Sequence, residues 1–255
     1  VGPSASERNV VVHVVEAGRR LGRCGLRRRD RGGCARGGRA ALGRARDLGW
    51  AHLSVHVDAN HTDFGSALIE AGFFLADRKL HYQYEPTASA VLPRVLFPTR
   101  AMQPDDHDAV RALIVRSAFP TRFFRDPFFP RQRVTDMHLC WFDKILSRAP
   151  AEHIAVVAEH QGRVAGFAIA EQVECGSNWQ GYSRALAAAE KQAAGAALAA
   201  VAAMTADAVR RRERIECVVS QGNRAAIRGL EYLGYTLMQR EDVFHLALSA
   251  AGKVN

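Results

Sequence analysis

The sequence lacks the patterns that define several classes of protein. Its five cysteines include no Cys-x-x-Cys pair, so neither a zinc knuckle nor a disulfide framework is indicated. No run approaches the roughly 20 apolar residues of a membrane-spanning helix, and the apolar stretch Val10–Val15 is interrupted by His13 and precedes no small-residue cleavage site. We therefore expect a cytoplasmic protein in a reducing compartment, without a bound metal and without a membrane partner.

Excess positive charge is missing from most of the chain, although the whole sequence carries a formal net charge of +9. Residues 16–46 hold eleven arginines against two acidic residues, which accounts for the entire excess. This segment is rich in glycine and has no helical or strand period, so we expect it to be irregular. It is interpretable as an Arg-Gly arm for RNA or phosphate, as a flexible insertion, or as a shifted reading frame in GC-rich DNA. Nucleic acid is not the expected partner of the remaining, charge-balanced chain.

The length of 255 residues allows one large or two modest domains. Residues 51–57 alternate apolar and polar side chains, as a half-buried strand does, and a helix over 64–71 and a strand over 73–84 follow. Residues 85–93 contain two prolines and small polar residues, a composition typical of a linker. The predicted domains are a small α/β region over 1–93 and a second domain over 94–255.

The second domain is predicted to alternate helices and strands. In chain order we expect a strand over 94–101, a helix ending near Ser117, a helix over 134–146, a hairpin of strands 153–159 and 163–174 turning at Gln161-Gly162, a strand over 182–189, a helix, a strand over 214–220, and a helix begun by Asn223.

A helix N-terminus built from small residues is the main candidate ligand site. The run Gln192-Ala-Ala-Gly-Ala-Ala197 opens the helix that follows strand 182–189. Unpaired backbone N–H groups and the positive end of the helix dipole bind phosphate there, and Gly195 permits close approach. For such an alanine-rich stretch, a tightly packed core helix is the alternative interpretation.

The order Gln-x-x-Gly-x-Ala, a strand, and Asn-x-x-Ala followed by Leu-Gly-Tyr235 resembles the GNAT superfamily of N-acyltransferases. The resemblance implies an α/β (α+β mixed) fold with a central mixed, splayed β-sheet flanked by helices, and acetyl-CoA as co-substrate. It also implies that strand backbone, the small-residue helix end and the asparagine bind the cofactor. The residues concerned are Ala187, Ala188, Ala189, Gln192, Ala193, Ala194, Gly195, Ala196, Ala197 and Asn223.

An aromatic loop over residues 118–130 is the candidate acceptor site. It contains five phenylalanines broken by three prolines, with arginines among the rings, and this composition suits a planar or anionic ligand. The alternative is that the rings pin a long connection onto the core. The run Thr121–Phe129 followed by Trp141 looks like the TDP-fucosamine acetyltransferase family within the GNATs, which implies a nucleotide-linked amino sugar as the small-molecule amine substrate. The predicted substrate-binding residues are Arg122, Phe123, Arg125 and Trp141, and the oligomeric state stays open, a homodimer included.

The predicted catalytic residues are Glu171 and Tyr232. Many GNATs carry a tyrosine seven residues after the asparagine as general acid for the thiolate, and here that position is Leu230. Tyr232 lies two residues further, turned by about 200° around the helix. Glu171 is the first candidate base for the amine proton. The alternative bases are Glu174, Glu190, His138 and His153, and the alternative function is a catalytically weak CoA-binding relative or a nucleic-acid-binding module using the arginine arm.

Overall fold

A computed structural model describes residues 10–16, 19–20, 24–26, 42, 45, 47, 50–86, 92–117, 119–174, 180–193 and 195–248, with side chains from residue 42 onward except at 174, 180 and 184. The strands are β1 (Val10–Glu16), β2 (Arg19–Arg20), β3 (Cys24–Leu26), β4 (His52–Asp58), β5 (Phe74–Tyr84), β6 (Thr99–Ala101), β7 (His153–His160), β8 (Arg163–Glu174), β9 (Gln180–Ala189), β10 (Arg214–Ser220) and β11 (Thr236–Ala247). The helices are α1 (Thr62–Glu70), α2 (His107–Arg116), α3 (Arg122–Arg125), α4 (Arg131–Leu146), α5 (Ala196–Arg210) and α6 (Arg224–Tyr232).

The chain forms two compact units. The first comprises residues 1–79, 125–128 and 240–255, and the second comprises 80–124 and 129–239. The chain passes from one unit to the other inside β5 and inside β11. The domain boundary predicted at residue 93 is a statement about independent folding, which this division into units does not test. It stays a prediction.

The first unit is built on antiparallel strands in the order β2-β1-β4-β11, with β3 also paired to β1. Leu53, Val55 and Val57 of β4 pack with Phe244 of β11 in one core. The polar residues that alternate with them are buried as well, so β4 is not the half-buried strand that its alternation predicts.

The arginine-rich segment contains short strands, which corrects the expectation that residues 16–46 are irregular. The backbones of β2 and β3 pair with β1, and such pairing needs no hydrophobic period in the side chains. Residues 42 and 45 of the segment are helical, as is residue 47 just after it, and most of the rest of the segment lies outside the described residues.

The second unit contains a mixed sheet in the order β5-β10-β9-β8-β7-β6. Neighbours from β6 to β9 are antiparallel, and β9 and β10 are parallel. One face of the sheet packs on α5 through residues such as Ala168, Ala170 and Met204. The other face packs on α2 and α4 around Phe142 and Phe167. The predicted mixed sheet with flanking helices is therefore confirmed.

Two local predictions for the second unit require correction. The strand predicted over 94–101 is limited to Thr99–Ala101, since Pro93 and Pro98 have no N–H to donate to a ladder. The aromatic loop contains the one-turn helix α3. The predicted hairpin turn is confirmed, with Gln161 and Gly162 at φ +52° and +73°. No helix among the described residues is long and apolar enough to cross a membrane.

Candidate active site

The predicted phosphate cradle forms the N-terminus of α5. Gly195 precedes the helix with a φ of +101°, a left-handed conformation that glycine adopts without strain. It is exposed, whereas Ala196 is fully buried. A Cβ atom at Gly166 of β8 would lie 2.8 Å from the carbonyl carbon of Ala196, so the helix end lies directly against the sheet. An open glycine and an anchored first turn are what a phosphate site at a helix N-terminus requires.

The other predicted cofactor residues lie close to this helix end in the chain. The alanines of β9 continue its antiparallel pairing with β8 as far as Gly166 opposite Ala189. Among these residues, Gln192 is exposed, Ala188 and Ala193 are buried, Ala187, Ala189 and Ala197 are partly buried, and Ala194 lies outside the described residues.

Strands β9 and β10 meet at one end and separate beyond it. In the part of the chain that the structure describes, their parallel pairing consists of Gly181 with Arg214 and Tyr182 with Ile215. A Cβ at Gly181 would lie 2.5 Å from the carbonyl oxygen of Arg214, so only glycine lets the backbones meet there. Because β9 nevertheless runs on to Ala189, the sheet has a V-shaped gap, here called the β9–β10 opening, whose vertex is at Tyr182.

A β-bulge in β9 lies just beyond this vertex. Ser183 pairs with Glu171 and Leu186 pairs with Ile169, so two residues of β9 lie opposite Ala170 alone. A bulge bends its strand and increases the local twist. It accounts for the departure of β9 from β10 at this point.

A carboxylate lies at the vertex of the β9–β10 opening. The Ser183 hydroxyl donates to Oε2 of Glu216 at 2.7 Å, and Nδ1 of His81 lies 3.0 Å from Oε1 of the same carboxylate. The side chains of His81 and Glu216 are 20% and 28% exposed. Glu216 is thus held in place and still reached by solvent, which a general base requires.

Glu171, the base predicted from the sequence, lies next to this group on the sheet but is enclosed. Its side chain is 1% exposed, and Oε2 lies 2.8 Å from Nε of Arg148. Arg148 is 31% exposed, and its guanidinium supplies a positive charge beside the enclosed carboxylate. The surroundings of Glu171 therefore favour a structural role.

The alternative bases are also engaged. His138 is buried and stacked on Phe119, its Nδ1 donates to the Val134 carbonyl, and burial lowers its pKa. His153 Nδ1 donates to the Ala149 carbonyl at 3.1 Å. Glu190 contacts Arg116 at 3.3 Å, and the side chain of Glu174 lies outside the described residues.

Helix α6 carries two residues singled out in the sequence, the predicted cap Asn223 and Leu230. Asn223 caps the helix, accepting from the Ala226 N–H at 3.2 Å. Leu230, at the position where many GNATs have tyrosine, is 5% exposed and packs in the core. No hydroxyl is available at that position to protonate a thiolate.

Tyr232 lies beside the N-terminus of α5. Its side chain is 56% exposed, and its hydroxyl donates to the Arg94 carbonyl at 3.4 Å. It lines a mainly apolar cavity of about 260 Å³ together with Gly195. The remaining lining residues are Arg94, Val95, Leu96, Phe97 and Leu198.

Three of the four predicted substrate residues lie in the second unit. The guanidinium of Arg122 lies 4.2 Å from the centre of the Phe123 ring, which contacts Phe129 edge-on at 5.2 Å. Trp141 is partly buried in the core that includes α4. Arg125 belongs to the first unit, where its Nη1 lies 3.4 Å from the carboxylate of Asp77.

Comparisons with solved structures identify the fold. A tandem GNAT protein from the clavulanic acid biosynthesis pathway matches 91% of this chain over 74% of its own length, with 18% identity and a TM-score of 0.58. A GCN5-related N-acetyltransferase from Sphaerobacter thermophilus matches with a TM-score of 0.51, 16% identity and coverage of 77% of this chain and 60% of its own. One from Kribbella flavida matches with a TM-score of 0.50, 16% identity and coverage of 75% and 67%.

The chain therefore has the GNAT fold of the acetyltransferases. No protein-family model matches the sequence, and no curated protein does either.

Proposed function

We propose that this protein is an acetyl-CoA-dependent N-acetyltransferase that transfers the acetyl group directly to a primary amine. The observation that carries the proposal is the β9–β10 opening beside the glycine-initiated N-terminus of α5. The opening exposes backbone groups of β9 to an extended pantetheine arm, while the helix end suits the pyrophosphate.

In this reaction the neutral amine attacks the thioester carbonyl, a C–N bond forms, the C–S bond breaks, and coenzyme A leaves as the thiolate. Backbone N–H groups of β9 at the opening are suited to the oxyanion. We propose Glu216 as the base that takes the ammonium proton, with Ser183 and His81 fixing its two oxygens. Glu171 would then support the sheet through Arg148.

For the acceptor, we propose a nucleotide-linked amino sugar. Arg122 on Phe123 presents a charged and an aromatic surface together, a combination that suits a nucleotide diphosphate. If the enzyme acetylates an amine of another kind in a panel of substrates, that amine replaces the amino sugar as the proposed acceptor.

The experiment follows free thiol released from acetyl-CoA with TDP- and UDP-linked amino sugars, free amino sugars and simple amines. Glu216→Gln is expected to lower kcat by at least about 100-fold, the usual contribution of a general base. Glu171→Gln is expected to lower the free energy of unfolding and to have a smaller effect on kcat than Glu216→Gln has. Glu152→Gln serves as an exposed, charge-matched control. Full activity of Glu216→Gln would remove the assignment of the base.

A CoA-binding protein with little activity is the second candidate, favoured by the buried Leu230 in place of a tyrosine. Calorimetric binding of CoA without thiol release above buffer on any amine would establish this candidate instead. A chain lacking residues 16–46 tests the nucleic-acid alternative, since unchanged folding and activity would make the arginine-rich segment incidental.

A further inference from the structure

Two histidines converge on one carboxylate inside the first unit. Nε2 of His52 lies 2.8 Å and Nδ1 of His245 lies 2.7 Å from Oδ2 of Asp126. The exposed fractions of His52, Asp126 and His245 are 0%, 3% and 0%. Each residue offers one potential ligand atom, and these atoms all lie within 4.8 Å of one another.

The strand register explains how the histidines come together. In the antiparallel pair of β4 and β11, His245 lies opposite Ser54 and Ala247 lies opposite His52. Because side chains alternate along a strand, His52 and His245 are diagonal neighbours on one face. Asp126 comes from residues 125–128, the short segment that belongs to this unit.

The surroundings hold the cluster in position. Oδ1 of Asp126 accepts the backbone N–H of Phe128 at 2.9 Å, which fixes the carboxylate and turns Oδ2 toward the histidines. The Phe128 ring centre lies 4.9 Å from that of His52, and the Phe74 ring lies 6.0 Å from His245. Metal ligands are supported by hydrogen bonds that orient a ligating carboxylate and by an apolar shell around the site, and both features are present here.

We propose that His52, Asp126 and His245 bind a divalent first-row transition metal ion. Two imidazole nitrogens and one carboxylate oxygen form a ligand set typical of Zn²⁺ and of other borderline cations. To act as a ligand, each neutral imidazole carries its proton on the ring nitrogen that faces away from Oδ2, so that the facing nitrogen offers its lone pair to the ion. With ligand bonds of about 2.0–2.2 Å, any two ligand atoms around a tetrahedral ion lie roughly 3.3–3.5 Å apart. Each nitrogen–oxygen contact therefore widens by roughly half an ångström, and the two nitrogens, which lie within 4.8 Å of each other, come to the same spacing.

This assignment differs from the expectation of no metal, which follows from the absence of closely spaced cysteines. The ligands here are separated by 74 and 119 residues along the chain. A bound ion ties residues 125–128, in the middle of the aromatic loop sequence, to strands β4 and β11. Its role in this unit is structural, and it is independent of acetyl transfer.

The test uses the full chain, stripped with a chelator and then titrated with Co²⁺ and with Zn²⁺ at neutral pH. We expect uptake of about one ion per chain, with visible absorption of the Co²⁺ form and a higher Tm. His52→Gln and His245→Gln are each expected to weaken binding by more than the roughly 10- to 100-fold that loss of a supporting outer partner costs. His56→Gln is the matched control, because His56 is a buried histidine of β4 that pairs with Glu241 instead.

X-ray absorption of the Co²⁺ form of the unaltered chain removes any dependence on how well the variants fold. Imidazole scattering around the ion is the expected result. Three results would overturn the proposal: no uptake by the unaltered chain, binding that survives His245→Gln, or a first shell of oxygen atoms without imidazole.

Discussion

At the residue scale, the backbone conformation of Gly195 links folding to the proposed binding of the cofactor phosphates. Its φ of +101° costs an L-residue about 1–3 kcal/mol, and its exposure leaves the helix end open. A Cβ there would meet the Phe97 ring at 3.4 Å, an ordinary contact. Backbone strain and obstruction of the proposed phosphate site, rather than a clash with the protein, are therefore the costs of a side chain at this position.

Gly195→Ala is expected to raise the Kd for CoA by about tenfold and to lower the free energy of unfolding by about 1–2 kcal/mol. Gly162→Ala is the matched control, since Gly162 has a φ of +73° and nothing within 4 Å of the added Cβ. It should show a similar loss of stability with unchanged CoA affinity. Calorimetry and thermal unfolding measure both effects, and equal CoA affinity of the two variants would contradict the phosphate assignment.

Two cysteines differ sharply in their surroundings. Burial raises the pKa of Cys217 to about 12, whereas Cys140 is exposed. At pH 8 the thiolate fraction of Cys217 is about 10⁻⁴, so iodoacetamide should modify Cys140 and leave Cys217 intact until the chain unfolds. Peptide mass spectrometry measures this directly, and comparable labelling of both in the folded protein would show that the core around Cys217 opens readily.

Residues whose role depends on near neighbours could be predicted from the sequence. Gly195 and Asn223 belong to short motifs, and each lies at the helix end where the motif predicts it. The group of Ser183, His81 and Glu216 at the vertex of the β9–β10 opening could not be found in this way. Ser183 and His81 lie 33 and 135 residues from Glu216 along the chain. The sequence favours Glu171 because it lies on a strand at the predicted centre of the sheet, but the sequence does not show its burial beside Arg148.

At the element scale, the entry into α2 depends on one carboxylate. Both oxygens of Asp106 accept from the Arg100 guanidinium, at 2.6 and 2.9 Å, and Oδ2 also accepts the Gln103 N–H at 2.7 Å. These bonds, the Arg100 bonds first, lower the pKa of Asp106 below its usual 3.8. The carboxylate therefore ties β6 to the turn that starts the helix.

Asp106→Asn is expected to lower the free energy of unfolding by about 1–2 kcal/mol near pH 7, a value reduced because Arg100 is partly exposed. Because folding lowers the pKa, the stabilisation is present above the unfolded value of about 3.8 and is lost as the pH falls through the folded value. Denaturant unfolding from about pH 3 to pH 8 measures the difference between wild type and variant. Asp105→Asn, an exposed neighbour, is the control, and a difference that stays constant through acid pH would contradict the assignment.

Most elements of the second unit follow their local patterns. Strand β10 occupies residues 214–220 as predicted, and the hairpin of β7 and β8 turns at the expected Gly162. Pairing between distant strands leaves no such local signal. The β9 bulge and the pairing of β4 with β11 both depend on registers that single segments do not encode.

At the scale of the whole molecule, β5 and β11 each contribute residues to both units. β11 contributes Val243 and Phe244 to the first unit, although it begins at Thr236 in the second. β5 crosses in the same way between Lys79 and Leu80. The boundary predicted at residue 93 stays a prediction, and composition alone does not reveal that a late strand pairs with an early one.

A chain ending at Tyr235 lacks β11, one of the two strands that pair with β4. We expect its first unit to lose cooperative unfolding, since burial of each large apolar side chain contributes about 1.5–3 kcal/mol. A chain ending at Leu248 keeps all of β11 and is the control. Limited proteolysis within residues 50–79 and thermal circular dichroism compare the two. Equal protection of that region in both chains would show that β4 is stable without β11.

The pairing of β4 with β11 also sets an order of events during synthesis. His52 and its neighbours leave the ribosome roughly 10–40 s before the residues that complete their strand pair, at about 5–20 residues per second. Throughout that interval β4 exposes one edge to solvent and to other nascent chains. Slower translation of the segment between them would therefore lengthen the time in which this edge can aggregate, and the yield of folded protein should depend on chaperones that cover exposed strands.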